Sequence, residues 1–416
     1  MRLSVRLLCM STILAAGLAV HAAEDWPKWR GPRADGISKE TLPDSLPATP
    51  KKIWSATIGL GYSSPIAVNG TLYAFATDDD KKEECLYAFN AADGKLLWKQ
   101  PYAQGDVKDG GYKGTRATPV FEDGKIYTFG GSGHVTCWDA TAEGKKLWQT
   151  NVLKECNTKS LNWGTASNPL FIGERLYVQV GDGGPMAVGL NKKSGQIEWK
   201  TEAKGQASYT SPILADVGGT KQMILLTGTV LCGVDLDSGK TIWDIPYASK
   251  YNDNGSTPVY RDGHLLVSNS TKAATMLKLS PTGATTEWEL KDFATKFQGF
   301  ILDGDYVYGN SAGKLCCLHW PDGKILWTED IKLGPGGSIV RAGDKILALS
   351  ERGKFSLLKA NGPDHQQLGE SALFEGANQL WATPLLYNGK LYTKGGTGEL
   401  IAKGGNELIC YDLNAK

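Results

Sequence analysis

The chain has 416 residues, with 45 lysines and arginines against 44 acidic residues and a formal charge of +1. That balance leaves no basic excess to grip nucleic acid or an anionic lipid surface. Glycine is abundant, at 51 residues, as a fold with many tight hairpins requires.

At the start of the chain, Arg2 and Arg6 precede an apolar run over about 7–20, and Val20-His21-Ala22 supplies small residues at cleavage spacing. This reads as a secretory signal peptide, residues 1–22, too short and wrongly flanked for a membrane span. No later stretch is apolar enough to span, so the expectation is an exported protein, periplasmic or secreted, with no transmembrane segment. The cleavage region Val20-His21-Ala22-Ala23 offers no cysteine to lipidate. A lead-in segment, 23–50, follows. The sequence leaves open whether it packs on the rest or hangs free.

From residue 51 onward one unit recurs: strand, turn, strand, ending in Gly-x-x-x-Trp. It closes at Trp98, Trp148, Trp199, Trp243, Trp288 (one residue longer) and Trp327. A period of roughly 40–50 residues built from short strands and turns is the signature of propeller blades. Each unit opens on a Ser/Thr/Asn-Pro pair: Ser64-Pro65, Thr118-Pro119, Asn168-Pro169, Ser211-Pro212, Thr257-Pro258 and Thr383-Pro384. Proline lacks a donor and belongs at a strand start or edge, here the innermost strand beside the axis. Asn69-Gly70, Asp123-Gly124, Asp262-Gly263, Asp303-Gly304 and Asn388-Gly389 supply the hairpin that follows, because these pairs accept positive φ.

Counting this way predicts an all-β, eight-bladed propeller over 51–416, with units at 63–100, 117–150, 167–201, 210–245, 256–290, 298–329, 337–370 and 382–416. The sixth and seventh are degenerate: Phe300 and Ile339 replace the proline, and the seventh has no Trp. The eighth lacks its fourth strand, which Lys51-Lys52-Ile53-Trp54-Ser55-Ala56 is expected to provide, closing a monomeric ring. The tryptophans are expected to pack each blade onto its neighbour.

Cys9 leaves with the signal peptide, and an odd number of cysteines remains. Most sit in third strands, where small buried packing residues are expected. A Cys85–Cys410 or Cys85–Cys137 bridge stays possible. Strand alternation points Cys316 and Cys317 to opposite faces.

Repeats ending like Asp235-Leu236-Asp237-Ser238-Gly239-Lys240-Thr241-Ile242-Trp243 resemble the PQQ-like propeller family, over nearly all of 51–416. The opening Trp26-Pro27-Lys28-Trp29-Arg30-Gly31-Pro32 looks like the lead-in of its exported bacterial members. One branch, the quinoprotein alcohol dehydrogenases, implies pyrroloquinoline quinone (PQQ) and calcium over the axis, with an Asp base. The other, the BamB branch, implies a protein-binding scaffold with no cofactor.

Function in a propeller is expected on the face where inter-blade loops crowd the channel mouth. Those loops offer Tyr62, Tyr112, Arg116, Asn162, Trp163, Tyr209, Asn252, Asp253, Asn254, Phe297, Asn378 and Trp381. Flat rings stack and guanidinium pairs with carboxylate, so a planar or carbonyl-bearing ligand or a peptide suits this mouth. Tyr62, Arg116, Trp163, Tyr209, Asn254 and Trp381 are the ligand-binding candidates. Asp253 is the candidate base, and Asn252 with Asp253 the candidate calcium ligands. Asp78-Asp79-Asp80 with Glu83-Glu84 reads as a solvated loop, held by Lys81-Lys82. The histidines show no zinc spacing, and no nucleophile elbow is present. The leading expectation is a binding or scaffold protein without a cofactor, with a protein or small-molecule partner at the loop face. The alternatives are a small PQQ- and calcium-dependent dehydrogenase of alcohols or sugars, and a carbohydrate-binding propeller.

Overall fold

The computed structural model describes residues 24–108, 110–271, 273–374, 376–396 and 405–414. The expected signal peptide lies outside these residues. The described chain folds as eight four-stranded antiparallel blades, and its one α-helix is the single turn Val152–Glu155. In blade 1 the strands are Ile66–Val68, Thr71–Asp78, Glu83–Asn90 and Leu96–Ala103, paired in chain order from the axis outward. Blades 2 to 7 repeat this over 120–151, 170–200, 213–246, 259–290, 301–329 and 338–372. Blade 8 is built from Leu385–Tyr387, Lys390–Gly395 and Glu407–Asp412, and its outer strand is Lys51–Thr57, in register from Lys51 opposite Asp412 to Thr57 opposite Glu407. The closing strand is therefore the one expected, and it removes two open sheet edges.

The Gly-x-x-x-Trp spacing has a geometric cause. In every blade the outer strand carries a β-bulge at the residue just before the Trp position: Ile53, Leu97, Leu147, Glu198, Ile242, Glu287, Leu326 and Leu368. A bulge sharpens the local twist and turns the following ring toward the next blade. Trp54, Trp98, Trp148 and Trp288 lie against the turn glycines Gly94, Gly144, Gly195 and Gly323 of the succeeding blade, where a Cβ would stand 2.4–2.7 Å from the ring. Trp327 instead donates from Nε1 to Gly362 O at 2.8 Å. Trp199 and Trp243 do not rest on a turn glycine but still pack with the succeeding blade, Trp199 in a cluster with Met223 and Leu225 and Trp243 in one with Leu265 and Leu277. Trp199 meets Tyr177 edge-on at 5.2 Å, and Trp243 donates to Gln222 Oε1 of its own blade at 2.8 Å.

The residue before each inner proline does more than precede a strand. In five of the six, all but Thr383, its side-chain oxygen accepts the backbone N–H of its counterpart in the preceding blade. Thr383 N donates to Ser64 Oγ (2.9 Å), Ser64 N to Thr118 Oγ1 (3.3 Å), Thr118 N to Asn168 Oδ1 (2.7 Å), Asn168 N to Ser211 Oγ (3.1 Å) and Ser211 N to Thr257 Oγ1 (3.0 Å). This belt laces the inner strands of blades 8 and 1 to 5 around the axis. Gln298 spans the degenerate arc, donating to Trp381 O at 3.1 Å and accepting from Thr383 Oγ1 at 3.4 Å.

The lead-in segment packs against the ring. Trp26 exchanges backbone hydrogen bonds with Ala67, Pro27 O accepts from Phe121 N, Arg30 reaches Phe300 O, and Ile37–Ser38 pairs in parallel with Ser338–Ala342 of blade 7. It thus touches the inner strands of blades 1, 2, 6 and 7 at the end of the channel opposite the candidate site. Glu40 then caps the inner hairpin of blade 8 through Asn388 N and Gly389 N, both at 2.8 Å.

All seven described cysteines are free, so neither possible bridge forms. Cys316 and Cys317 do face opposite ways, one toward the cluster of Phe293 and Phe300, the other toward that of Ile339 and Ile346.

Candidate functional site

The inter-blade loops surround a cup at the channel mouth, a cavity of about 230 Å³. Five of the six binding candidates line it: Tyr62, Arg116, Trp163, Tyr209 and Trp381. Tyr112, Asp253 and Phe297 join them. The expected amides do not. Asn162, Asn252, Asn254 and Asn378 lie outside the lining, and its amides are Asn168 and Gln298.

Asn254 corrects the expectation most clearly. It is buried, its amide donates to Thr227 O (2.7 Å) and Tyr247 O (2.8 Å), and its Oδ1 accepts from Asn269 (2.9 Å). Its carbonyl also accepts the N–H of Tyr209 at 2.9 Å, so Asn254 positions the loop that carries Asp253 and holds Tyr209 in place.

Trp381 organises one side. Its ring stacks on Tyr62 at 4.7 Å and Tyr112 at 5.5 Å and leans on Phe297 at 4.9 Å, joining loops from four places in the ring. Such pairs contribute roughly 0.5–1.5 kcal/mol each beyond area burial. Its Nε1 donates to Glu351 Oε2 at 3.2 Å. A Cβ at Gly336 would stand 2.1 Å from the Trp381 ring, so only glycine allows that loop so close. Two cations sit over rings of the same cluster: Arg116 at 5.5 Å from the Tyr62 centroid and Lys296 at 4.8 Å from Phe297. Arg116 also donates to Gly114 O and Tyr112 O, which fixes its fork. On the other side Trp163 meets Tyr209 edge-on at 5.7 Å, and the backbone N–H of Trp163 donates to the Tyr209 hydroxyl at 3.3 Å. Burial pushes that phenol up to about 12.

Trp29 of the lead-in borders both this cup and a second cavity of about 620 Å³ on the opposite side of the ring. Asn168, Ser211 and Thr257 border both as well, and the Arg30 guanidinium lies 5.4 Å from the Trp29 ring. The sequence singled out the lead-in as a motif without assigning it this place. Lys296 and Gln298 were also missed, although they flank Phe297, which the sequence did single out.

The donor set does not fit a calcium–quinone centre. Asp253 is the one carboxylate among the described lining residues, and its Oδ1 already accepts from Ser249 Oγ at 2.5 Å. The amide of Asn252 is turned to Gln206 at 3.0 Å. Among the described residues no three His, Cys, Asp or Glu side chains converge as metal ligands. Cys316 and Cys317 are strand residues of blade 6, away from the cup.

The acidic run in blade 1 divides. Asp78 pairs with Lys81 and Lys99, and Asp79 with Lys82 and Lys113, as a solvated loop should. Glu84 is different: fully buried, it accepts from Gly131 N at 2.7 Å and from the Tyr102 hydroxyl, bridging blades 1 and 2.

Residues 81–329 match the PQQ-like repeat family described as "Outer membrane protein assembly factor BamB". The chain belongs to this family. A curated member, the outer membrane protein assembly factor BamB of Yersinia pestis, is 24% identical over 306 residues, covering 68% of this chain and 72% of that relative. Among solved structures, BamB from Moraxella catarrhalis superposes with a TM-score of 0.61 at 15% identity, over 89% of this chain and 99% of its own. The quinohemoprotein alcohol dehydrogenase of Comamonas testosteroni gives 0.65 at 12% identity, over 94% and 81%. At such identities the structural likeness speaks to the fold, which the BamB family shares with dehydrogenases.

Proposed function

We propose that this chain is an exported scaffold that binds a partner protein through the loop-face cup, without a cofactor. The observation that carries this reading is the character of the cup: aromatic rings and two ring-stacked cations around one engaged carboxylate. Rigid amphipathic rings beside a guanidinium are the groups that dominate protein recognition. Trp29 stands where the cup meets the second cavity, which suits a loop tip or chain end as the bound segment. Membership of the BamB family supports a scaffold, and a lining with two cations and a single described carboxylate supports a partner over a metal-held cofactor. Among the described residues no helix is long and apolar enough to cross a membrane.

The test is site-specific photo-crosslinking in the native cell envelope, with the reactive residue at 163 or 381 and a control at 198 on the outer wall. One polypeptide captured at the cup sites, and lost when the other cup tryptophan is changed to Ala, supports the reading. Stoichiometric heat on titration with PQQ and calcium, accompanied by dye-linked alcohol oxidation, would overturn it.

A further inference from the structure

Among the described residues five large hydrophobic side chains are exposed, and four of them share one place in the fold. Ile53 (39% exposed), Leu96 and Leu97 (both 48%) and Leu147 (44%) lie on the outer strands of blades 8, 1 and 2, which are consecutive around the ring. Three of the four are the bulged residue before the Trp. In blades 3 and 5 the same position holds Glu198 and Glu287, each engaged within its own blade by Arg175 and His264. In blades 4, 6 and 7 it holds the partly buried Ile242, Leu326 and Leu368.

The three strands form a continuous wall. Trp54 of blade 8 donates to Ala91 O at 3.1 Å and lies on Gly94, the residue just before Lys95 and Leu96 of blade 1. Trp98 lies on Gly144 of blade 2, and Gln100 donates to Glu143 O at 2.8 Å beside it. The apolar residues are interleaved with exposed lysines at 51, 52, 95, 145 and 146, none of which forms an ion pair among the described residues. Asp93 and Glu143 lie in the adjoining turns, and Asp412 and Asp139 stand opposite Lys51 and Lys145 in the strand register, Asp412 being paired with Lys390; the five exposed lysines against these four carboxylates leave the wall a small excess of positive charge.

A soluble protein seldom presents contiguous apolar surface without a partner. The edge itself is closed to strand addition: the bulges interrupt pairing and Pro101 removes a donor. Recognition must therefore run through side chains. An eight-bladed ring turns roughly 45° per blade, so the walls of blades 8 and 2 face directions about 90° apart. A flat bilayer cannot meet both, whereas a polypeptide can bend around them. We propose that the outer wall of blades 8, 1 and 2 is a second docking surface, separate from the cup, for an acidic segment of a partner protein that carries apolar side chains.

The test uses three fluorescent 20-residue peptides and the full chain: one alternating Glu and Leu, one with Lys in place of Glu, and one with Ser in place of Leu. Binding is followed by anisotropy at low and high salt. Binding of the Glu–Leu peptide alone, weakened roughly tenfold or more by a Leu97→Glu/Leu147→Glu double variant and by salt, supports the proposal. Trp163→Ala should leave it unchanged, which separates this surface from the cup. The altered side chains are exposed, so an unchanged melting temperature confirms the fold. No binding of the Glu–Leu peptide, equal binding of the Lys–Leu peptide, or binding that the double variant leaves intact would overturn it. So would a double variant that loses only affinity for phosphatidylglycerol vesicles, or only self-association.

Discussion

Leu46 lies over Gly369, at the position in blade 7 that a tryptophan occupies in the other blades. A Cβ on Gly369 would stand 3.0 Å from the Leu46 backbone N and 3.1 Å from its Cβ. Ser371 donates to Pro47 O beside it, and Lys345 donates to Leu42 O at 3.1 Å. The lead-in therefore fills, with Leu42 and Leu46, the gap between blades 7 and 8 that a Trp would otherwise fill. Leu46→Ala should cost about 2–4 kcal/mol in urea denaturation, as for a buried leucine. Ile53→Ala, a few residues on but exposed, should stay within about 0.5 kcal/mol. Equal effects would mean that the lead-in is not part of the ring's core.

Deleting residues 51–57 should do more. It strips the outer strand from blade 8 and removes Trp54, which packs with Phe89 and Tyr392. It also bares an edge along Glu407–Asp412. The expected outcome is a melting temperature lower by about 10 °C or more, with concentration-dependent aggregation. A truncated protein that melts with the parent would refute closure by this strand.

The ring was legible because its repeat is local: a hairpin pair, a proline and a Trp at fixed spacing each announce a strand end. The degenerate seventh unit was legible only as a gap, because Leu46 and Gly369 are more than 300 residues apart and neither is unusual alone. In the candidate site the aromatics were legible because such rings are conspicuous in inter-blade loops. The amides misled for a physical reason. An Asn in a tight loop satisfies internal polar groups as readily as it faces a ligand, and Asn254 gives its amide N–H groups to two backbone carbonyls and its Oδ1 to the Asn269 side chain. Glu84 was grouped with its acidic neighbours, but strand alternation turns it inward to Tyr102 and Gly131.

The two cup tryptophans should separate stability from binding. Trp381 ties together rings from several loops, so Trp381→Ala should lower stability by about 2–4 kcal/mol and also weaken partner capture. Trp163 has one ring partner, Tyr209, so Trp163→Ala should weaken capture with a stability change nearer 1 kcal/mol. Calorimetric melting read beside crosslinking yield checks this. Capture unaffected in both variants would remove these residues from the site.

Two buried ionisable groups flank blade 1 and should shape stability from opposite sides of neutrality. Burial pushes Glu84 up to about 7 against the hydrogen bonds from Tyr102 and Gly131. The folded protein therefore holds that proton more tightly than the unfolded chain. Its contribution is full below the ordinary carboxylate value of 4.5 and is lost as pH rises through about 7. Lys394, whose Nζ donates to Gly61 O at 2.7 Å between blades 8 and 1, is pushed down to about 7 by burial. Its contribution is full above 10.5 and is lost as pH falls through about 7. Each group supplies a slope of up to about 1.4 kcal/mol per pH unit within its window. Glu84→Gln should thus remove a fall in stability between pH 4.5 and 7, and Lys394→Met a rise between 7 and 10.5. Comparing each variant with its parent across pH cancels the other titrating groups, including His134, which burial lowers, and the Arg116 charge near Glu84. Parallel stability–pH curves for variant and parent would show that the side chain titrates alike in the folded and unfolded chain, and would contradict a shift caused by burial.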